Sequence, residues 1–524
     1  MTRTEPPVPL SIARQAALTP EATAARGPEG ELTYRLLDRR ARALARELRT
    51  AGAGPEDTVL LGVRRGPHWA VGVLGIWYAG AALLPVDLDA PDERLRTLTR
   101  AADTRYAVAP GHLAAAVLQR RCGRELFWAD TGGGAPEEAE RTELPEPVRC
   151  DPDSLAYVLF TSGSTGQPKP VAVAHRGLAA QSAVLAERYG LTAADRVLQF
   201  AAPAFDVALE EALPTWCTGG TAVFVEDNVL SPAELETFLA ERGVSVVNLP
   251  TPYWAQWAKD VERRPRPLPA ALRRVVIGSD AGRTADLKRW AAAGGPPVVS
   301  CYGLTESTIT ATSFEAGPER LSAFTGDEVI PLGTPLAGVR AYVLDEALTE
   351  APVGSTGELY LAGDCVARGY HGRPAPTSER FVADPFAALP GGRMYRTGDR
   401  VRRAADGTLE FLGRADDQVK IRGFRVELKE VEAAVAAHPD VLDVVARAVR
   451  DRGEPQVAAY VTVVPDSTLD AAGLRGHLAD RVPGHLIPAH VVVLAELPRT
   501  PGGKLDPRAL PALPRPAAAA PASR

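Results

Sequence analysis

Two hydrophobic periods alternate along the first two-thirds of the chain. "LTYRLLDRRARALARELRTAG" (32–52) sets its leucines and alanines at helical spacing and stops on Gly52, whereas "DTVLLGV" (57–63) is a short, nearly unbroken apolar run. "WAVGVLGIWYAGAALLPVD" (69–87) reads as helix, glycine turn and strand. Similar runs recur in "LAYVLF" (155–160), "TAVFVE" (221–226), "VSVVNLP" (244–250) and "RRVVIGS" (273–279). Strands alternating with helices predict an α/β architecture with largely parallel sheets, whose ligands bind beyond the carboxyl ends of the strands.

After about residue 330 the texture changes to strands and turns, as in "VRAYVLDE" (339–346), "GELYLAGDCVARGY" (357–370) and "GTLEFLGRADDQVKIRG" (407–423). Past Gly413 a last α/β pattern follows: helix "ELKEVEAAVAAHP", strands "DVVARAVR" and "QVAAYVTVV", helix "TLDAAGLRGHLADRV". The predicted organisation is a large N-terminal part, 1–412, made of parallel-type α/β subdomains and a β-rich subdomain. A small mobile α/β domain, 413–510, and a disordered Ala/Pro tail, 511–524, complete it. No internal repeat is visible.

Composition narrows the function. The 524 residues suffice for several cores, and a net charge of −6 lacks the basic footprint of a nucleic-acid binder. Five scattered cysteines without a C-x-x-C pair read as reduced thiols rather than disulfides or a zinc site. With no signal-peptide core and no long apolar run, the expectation is a cytoplasmic protein without a membrane partner. Of 59 Lys and Arg residues only six are Lys, so each retained lysine merits inspection for a role specific to an ammonium. Lys169, Lys420 and Lys504 stand beside glycine or proline in loop-like stretches.

The first of these closes "LFTSGSTGQPKPVAVAH" (159–175). Hydroxyls of Thr161, Ser162, Ser164 and Thr165, the bendable Gly163 and Gly166, and the charge of Lys169 together suit an anion, most often a polyphosphate. The spacing is not a Walker A loop, and a Ser/Gly-rich surface turn is the competing reading. Four more glycine-flanked polar clusters follow in order: "CYGLTEST" (301–308), "YRTGDRV" (395–401), "GRADDQVKIRGFRVELKEVE" (413–432) and "PRTPGGKLDP" (498–507). Singly, Glu306 could be a first-turn helix acid, Asp399 a turn former and Lys504 a tail lysine.

As an ordered set, from "ELTYRLLD" at Glu31 through Leu510, these motifs resemble the acyl-adenylate-forming superfamily, and within it the amino-acid adenylation domains of nonribosomal peptide synthetases. The resemblance implies a two-step enzyme. A carboxylate attacks the α-phosphorus of ATP to give an aminoacyl adenylate and pyrophosphate, and a carrier protein's phosphopantetheine thiol then captures the acyl group. It assigns the loop, Thr161 to Lys169, to the β- and γ-phosphates. Thr305 is assigned to the α-phosphate, Glu306 to Mg2+, and Tyr302 with the neighbouring Gly303 to adenine. Asp399 takes the ribose hydroxyls with Arg414 nearby, and Lys504 the reacting oxygens. Asp416 matches a hinge, and Lys420 and Gly423 the face that lines the pantetheine tunnel in the second step. Two departures stand out: Pro170 where glycine usually follows the loop lysine, and Leu304 in place of a proline. Neither carries a charge, so altered loop mobility is expected without loss of activity.

The same resemblance carries over a substrate pocket: Asp206, Val207, Glu210, Asn248, Val275, Ile277, Cys301, Ile309, Thr310 and Lys504. Asp206 would anchor an α-ammonium. An inward, unpaired Glu210 would favour a basic diamino acid, while Ile277 would shorten the pocket and favour a small or cyclic neutral acid such as proline. Glu210 could instead belong to a structural network. The lack of carrier-like sequence after Lys504 suggests a carrier protein supplied in trans, and a small helper protein is left open as a further partner. Rival readings are an acyl-CoA ligase or a D-alanine–carrier protein ligase of the same superfamily, or an inactive homologue kept for binding.

Overall fold

A computed structural model describes the chain apart from residues 1–4, 133–143, 164–165, 227–229, 389, 417, 422, 452–453, 500–505, 507–508 and 514–524, and apart from the side chains of 318 and 454. The chain forms two compact units. The first comprises residues 1–89, 95–161 and 169–416, and the second comprises 90–94, 162–168 and 417–524. Ser164, Thr165, Lys504 and most of the Ala/Pro tail fall outside the described residues.

In the first unit the apolar runs become buried central strands. A seven-stranded sheet runs Gly369–Tyr370, Lys169–Ala174, Leu155–Thr161, Ala82–Pro85, Thr58–Leu61, Tyr106–Ala109 and Phe127–Asp130. It is parallel from Leu155–Thr161 onward and antiparallel where Leu155–Thr161 meets Lys169–Ala174. A nine-stranded sheet has at its centre the parallel neighbours Thr221–Phe224, Arg196–Gln199, Val246–Pro250, Arg274–Gly278 and Val298–Tyr302. The β-rich section is an antiparallel sheet built on Val339–Leu344, Thr356–Gly363, Arg393–Arg403 and Leu409–Arg414.

Helices cover the sheets as their sequences dictate. Tyr34–Thr50 buries its apolar stripe, and Thr33 caps it by accepting from Leu36 N at 3.2 Å. Helix Val207–Cys217 is different, because nearly every residue of it is buried, including two adjacent glutamates. Such a helix can carry polar residues only if each finds partners. Six of the seven tryptophans divide between two cores: Trp69, Trp77 and Trp216 in one, Trp254, Trp257 and Trp290 in the other.

The second unit contains the hairpin Gln418–Ile421/Phe424–Glu427, helix Leu428–Ala436, and strands Val441–Asp451, Glu454–Val463 and His490–Val493 in one sheet. Gly423 sits in the hairpin turn with φ +85°, a region costly for residues with a Cβ, and Lys420 lies opposite Arg425. Among the described residues no helix is long and apolar enough to cross a membrane, and all five cysteines are thiols.

Candidate active site

Several residues singled out in the sequence lie on or just after three adjacent parallel strands, Val246–Pro250, Arg274–Gly278 and Val298–Tyr302: Asn248 on the first, Cys301 and Tyr302 on the third, and Gly303, Thr305 and Glu306 directly after it. After the third strand the chain doubles back sharply. A Cβ on Gly303 would lie 1.8 Å from the Ile309 carbonyl oxygen, and Thr308 and Ile309 have φ of +53° and +74°. Only glycine permits that close approach, and two consecutive non-glycine residues in the left-handed region mark a turn held by its surroundings. The turn presents Thr305 and Glu306 on a single 3-10 turn, with Leu304 buried beneath it.

Glu306 is completely buried. Its Oε1 accepts from the Tyr370 hydroxyl at 3.0 Å, and the Lys169 ammonium lies 5.8 Å from the centre of the Tyr370 ring. Tyr370 therefore joins the loop lysine to the buried acid, a role the sequence reading missed. Asp206 stands at the start of helix Val207–Cys217 beside this turn. Burial pushes its carboxyl above the ordinary range, the Thr305 hydroxyl opposes that push, and the like charge of Glu306 adds to it. Val207 is half-buried against the core.

A second cluster surrounds Asp399. Its Oδ2 accepts from the Tyr302 hydroxyl at 2.5 Å, and its Oδ1 pairs with Arg414 Nη1 at 2.5 Å. Arg414 also grips Asp416 through two bonds of 2.7 and 2.9 Å and the Thr397 carbonyl at 3.2 Å. Burial and the adjoining Asp399 carboxylate push the Tyr302 phenol well up, so it stays a donor. One guanidinium thus ties the expected ribose acid to the last residue of the first unit.

The phosphate-type loop closes on itself: a Cβ at Gly163 would meet the Gln167 carbonyl oxygen at 1.6 Å. Two buried hydroxyls, those of Thr161 and Ser162, have no hydrogen-bond partner among the described residues. Within the second unit the Gly163 amide donates to Glu430 Oε2 at 2.9 Å. That amide thus already faces a carboxylate.

The residues expected to line a substrate pocket separate into two groups. Glu210 is buried and accepts from the Tyr189 hydroxyl at 2.6 Å, the Thr310 hydroxyl at 2.7 Å and Asn248 Nδ2 at 3.1 Å. The Tyr189 hydroxyl is also 3.3 Å from Cys301 Sγ. Burial raises the Glu210 carboxyl to about 6, with Asp206 adding to the effect and the three donors opposing it. The expectation of an unpaired carboxylate is therefore corrected: Glu210 is partnered, by neutral groups. Its neighbour Glu211 turns the other way and accepts the backbone amides of Phe200 and Ala201 at 3.0 to 3.1 Å, fixing the segment that leads to Asp206.

Val275 and Ile277 do not join Glu210. Register pairs them with Val247 and Leu249, and all four pack into the core of Trp254, Trp257 and Trp290. Asn248 pairs with Val276, which packs with Tyr189 on the other face of the sheet. The residues of this strand on the face of Asn248 are consequently Val276 and Gly278, and a Cβ on Gly278 would point at Cys301, 3.3 Å from its carbonyl oxygen and 3.9 Å from its Cβ. The expectation that Ile277 shortens the pocket is overturned, because its side chain fills the core behind the sheet. Tyr157 is a further neighbour missed by sequence. It is fully buried, its hydroxyl has no partner among the described residues, and its ionisation is disfavoured by burial and by Asp206 and Glu210.

Known proteins resemble the chain over most of its length. Residues 12–371 match the family model described as AMP-binding enzyme, and residues 430–504 match the AMP-binding enzyme C-terminal domain. Phosphinothricin tripeptide synthetase PhsC of Streptomyces viridochromogenes is 40% identical over 497 residues, covering 94% of this chain and 44% of that protein. The dimodular nonribosomal peptide synthase of Bacillus subtilis (strain 168) is 38% identical over 520 residues, covering 96% of this chain and 21% of that protein. Among solved structures, holo-PA1221, a nonribosomal peptide synthetase protein containing adenylation and PCP domains bound to a vinylsulfonamide inhibitor, superposes with a TM-score of 0.80. It is 27% identical, and the match covers 96% of this chain and 84% of that one. The chain spans less than half the length of these two curated relatives.

Proposed function

Because the chain belongs to the AMP-binding enzyme family, whose relatives here include nonribosomal peptide synthetases, we propose that it joins an amino acid to AMP at the expense of ATP and passes the aminoacyl group to the phosphopantetheine thiol of a carrier protein. The observation that carries this reading is the meeting of Asp206 and the Thr305–Glu306 turn. An anionic anchor for an α-ammonium there adjoins the residues expected to handle the α-phosphate.

In the first step a substrate carboxylate oxygen bonds to the α-phosphorus and the bond to the pyrophosphate oxygen breaks. Catalysis of such a displacement is chiefly positioning and charge neutralisation. Asp206 holds the ammonium end of the amino acid, Thr305 spans the two centres, and Tyr302, Asp399 and Arg414 hold the adenosine. Among the described residues no group of three or more His, Cys, Asp or Glu side chains is arranged to bind a metal. A single buried carboxylate, Glu306, fits Mg2+, which is usually held by one or two carboxylates together with substrate phosphates. When bound, the ion supplies positive charge to the phosphates. Lys504 would donate to the reacting oxygens, whereas Lys420, Gly423 and the Asp416 hinge would serve transfer to the thiol.

The test is amino-acid-dependent exchange of pyrophosphate into ATP over a broad panel of acids. Exchange with at least one amino acid is expected, and Asp206→Ala should raise its KM at least tenfold while the KM for ATP changes less than twofold. Folded protein, with any helper protein supplied, that exchanges with no acid would refute the reading. Undiminished activity in the Asp206 variant would favour a carboxylic acid without an ammonium group, as for an acyl-CoA ligase.

A further inference from the structure

Resting on the amino-acid-activating reading, the pocket also indicates which side chain it takes. Asp206 opens helix Val207–Cys217 and Glu210 follows four residues later, so the two share a helix face with about 6 Å between them along the axis. Glu210 receives hydrogen bonds from Tyr189, Asn248 and Thr310, all neutral donors. Among the described residues no arginine, lysine or histidine bonds to it. The ionisable groups that act with it are the carboxylates of Asp206 and Glu211, the phenols of Tyr157 and Tyr189, and the thiol of Cys301. None of these supplies a cation. Three donors also leave about one of the four acceptor positions of a carboxylate to be filled.

The shape agrees with the charge. Gly278 shares the face of Asn248 and leaves the space beside Cys301 without a side chain. The chain behind it, Ile277, is turned into the core and takes no pocket volume. A substrate fixed by its ammonium at Asp206 would meet Glu210 one helical turn farther along.

We propose that the amino acid activated by this chain carries a basic side chain, an amine on about three or four carbons, whose charge is received by Glu210 while Asp206 receives the α-ammonium. Two carboxylates that repel each other when the pocket is empty are then matched by two ammonium groups one helical turn apart. A neutral side chain of equal length would leave Glu210 with a buried charge and neutral partners only.

The experiment is pyrophosphate exchange with L-ornithine and L-lysine against L-norvaline, L-norleucine and L-proline. Wild-type protein should prefer a basic acid by at least 30-fold in kcat/KM. Glu210→Gln should lower kcat/KM for the basic acid at least 30-fold, about 2 kcal/mol, and raise that of norvaline or norleucine, because the buried charge left opposite a neutral side chain is gone. Glu210→Asp, which keeps the charge, should retain the preference. The ratio of basic to neutral kcat/KM should rise with pH to about 6 and then level off, because Glu210 is protonated below that pH. Glu210→Gln should remove that rise. Preference for a neutral acid, or equal losses on both classes in the Glu210→Gln variant, would overturn the proposal while leaving amino-acid activation standing. Silence with every amino acid would overturn both.

Discussion

Glu210 and Glu211 are identical, adjacent and buried, yet they do different work because a helix turns about 100° per residue. Glu211 accepts two part-buried backbone amides, those of Phe200 and Ala201. Replacing it with an amide should cost about 1–3 kcal/mol, the usual penalty where a polar group loses a well-placed acceptor. Among the described residues Glu210 holds no backbone group, and its three partners are side chains that can rearrange around an amide. Thermal unfolding should accordingly show a clearly lowered midpoint for Glu211→Gln and little change or a small rise for Glu210→Gln. Equal losses in the two variants would mean that Glu210 is part of the scaffold. Nothing in the pair "EE" distinguishes them in sequence. What does distinguish them is spacing from Asp206, since only the residue four positions later returns to its face.

At the scale of elements, the strands and helices were legible because their patterns are strong: unbroken apolar runs between glycine and proline punctuation gave the parallel sheets, and the change to alternating strands after residue 330 gave the antiparallel one. The face of one strand was not legible. In "RRVVIGS" three consecutive apolar residues are all buried, so alternation carries no information, and a shift of one residue exchanges the two faces of the sheet. Register supplies what sequence lacked, by pairing Asn248 with Val276 and Leu249 with Ile277. The two faces can be separated by experiment. Gly278→Val places methyl groups beside Cys301, and should lower kcat/KM for the preferred amino acid about 10- to 100-fold with the KM for ATP unchanged. Ile277→Val removes one methylene from the tryptophan core, and should cost about 0.5–1.5 kcal/mol of stability with no change in amino-acid preference. The opposite pattern, specificity altered by Ile277→Val and unaffected by Gly278→Val, would return Ile277 to the pocket.

At the scale of the whole molecule, His175 offers a titration that reports global folding rather than chemistry. It begins helix His175–Tyr189, is completely buried, and has no hydrogen-bond partner for either ring nitrogen among the described residues. The edge of Trp77 lies near it, at 6.0 Å between ring centres. Burial lowers its pKa to about 4, against about 6.5 in an unfolded chain. Between those values the unfolded state binds the proton and the folded state does not, so stability falls as pH drops from about 6.5 through 4. Over that window the single residue accounts for about 3 kcal/mol. Glu210 acts in the opposite sense. Its raised carboxyl binds a proton in the folded state between its unfolded value and about 6, which adds stability as the pH is lowered. His485, lowered to about 4 by burial and by Arg94 in the second unit, acts in the same sense as His175. A wild-type pH profile therefore mixes terms of both signs, and only a difference between variants isolates one of them. His175→Phe removes the titration and the two unpartnered nitrogens together while keeping an aromatic ring against Trp77. Denaturant unfolding measured from pH 7.5 to 4.5 should show the variant losing about 2–3 kcal/mol less than the wild type over that range. Parallel profiles would show that His175 gains a proton in the folded protein as readily as in the unfolded chain, and that its burial does not persist in solution.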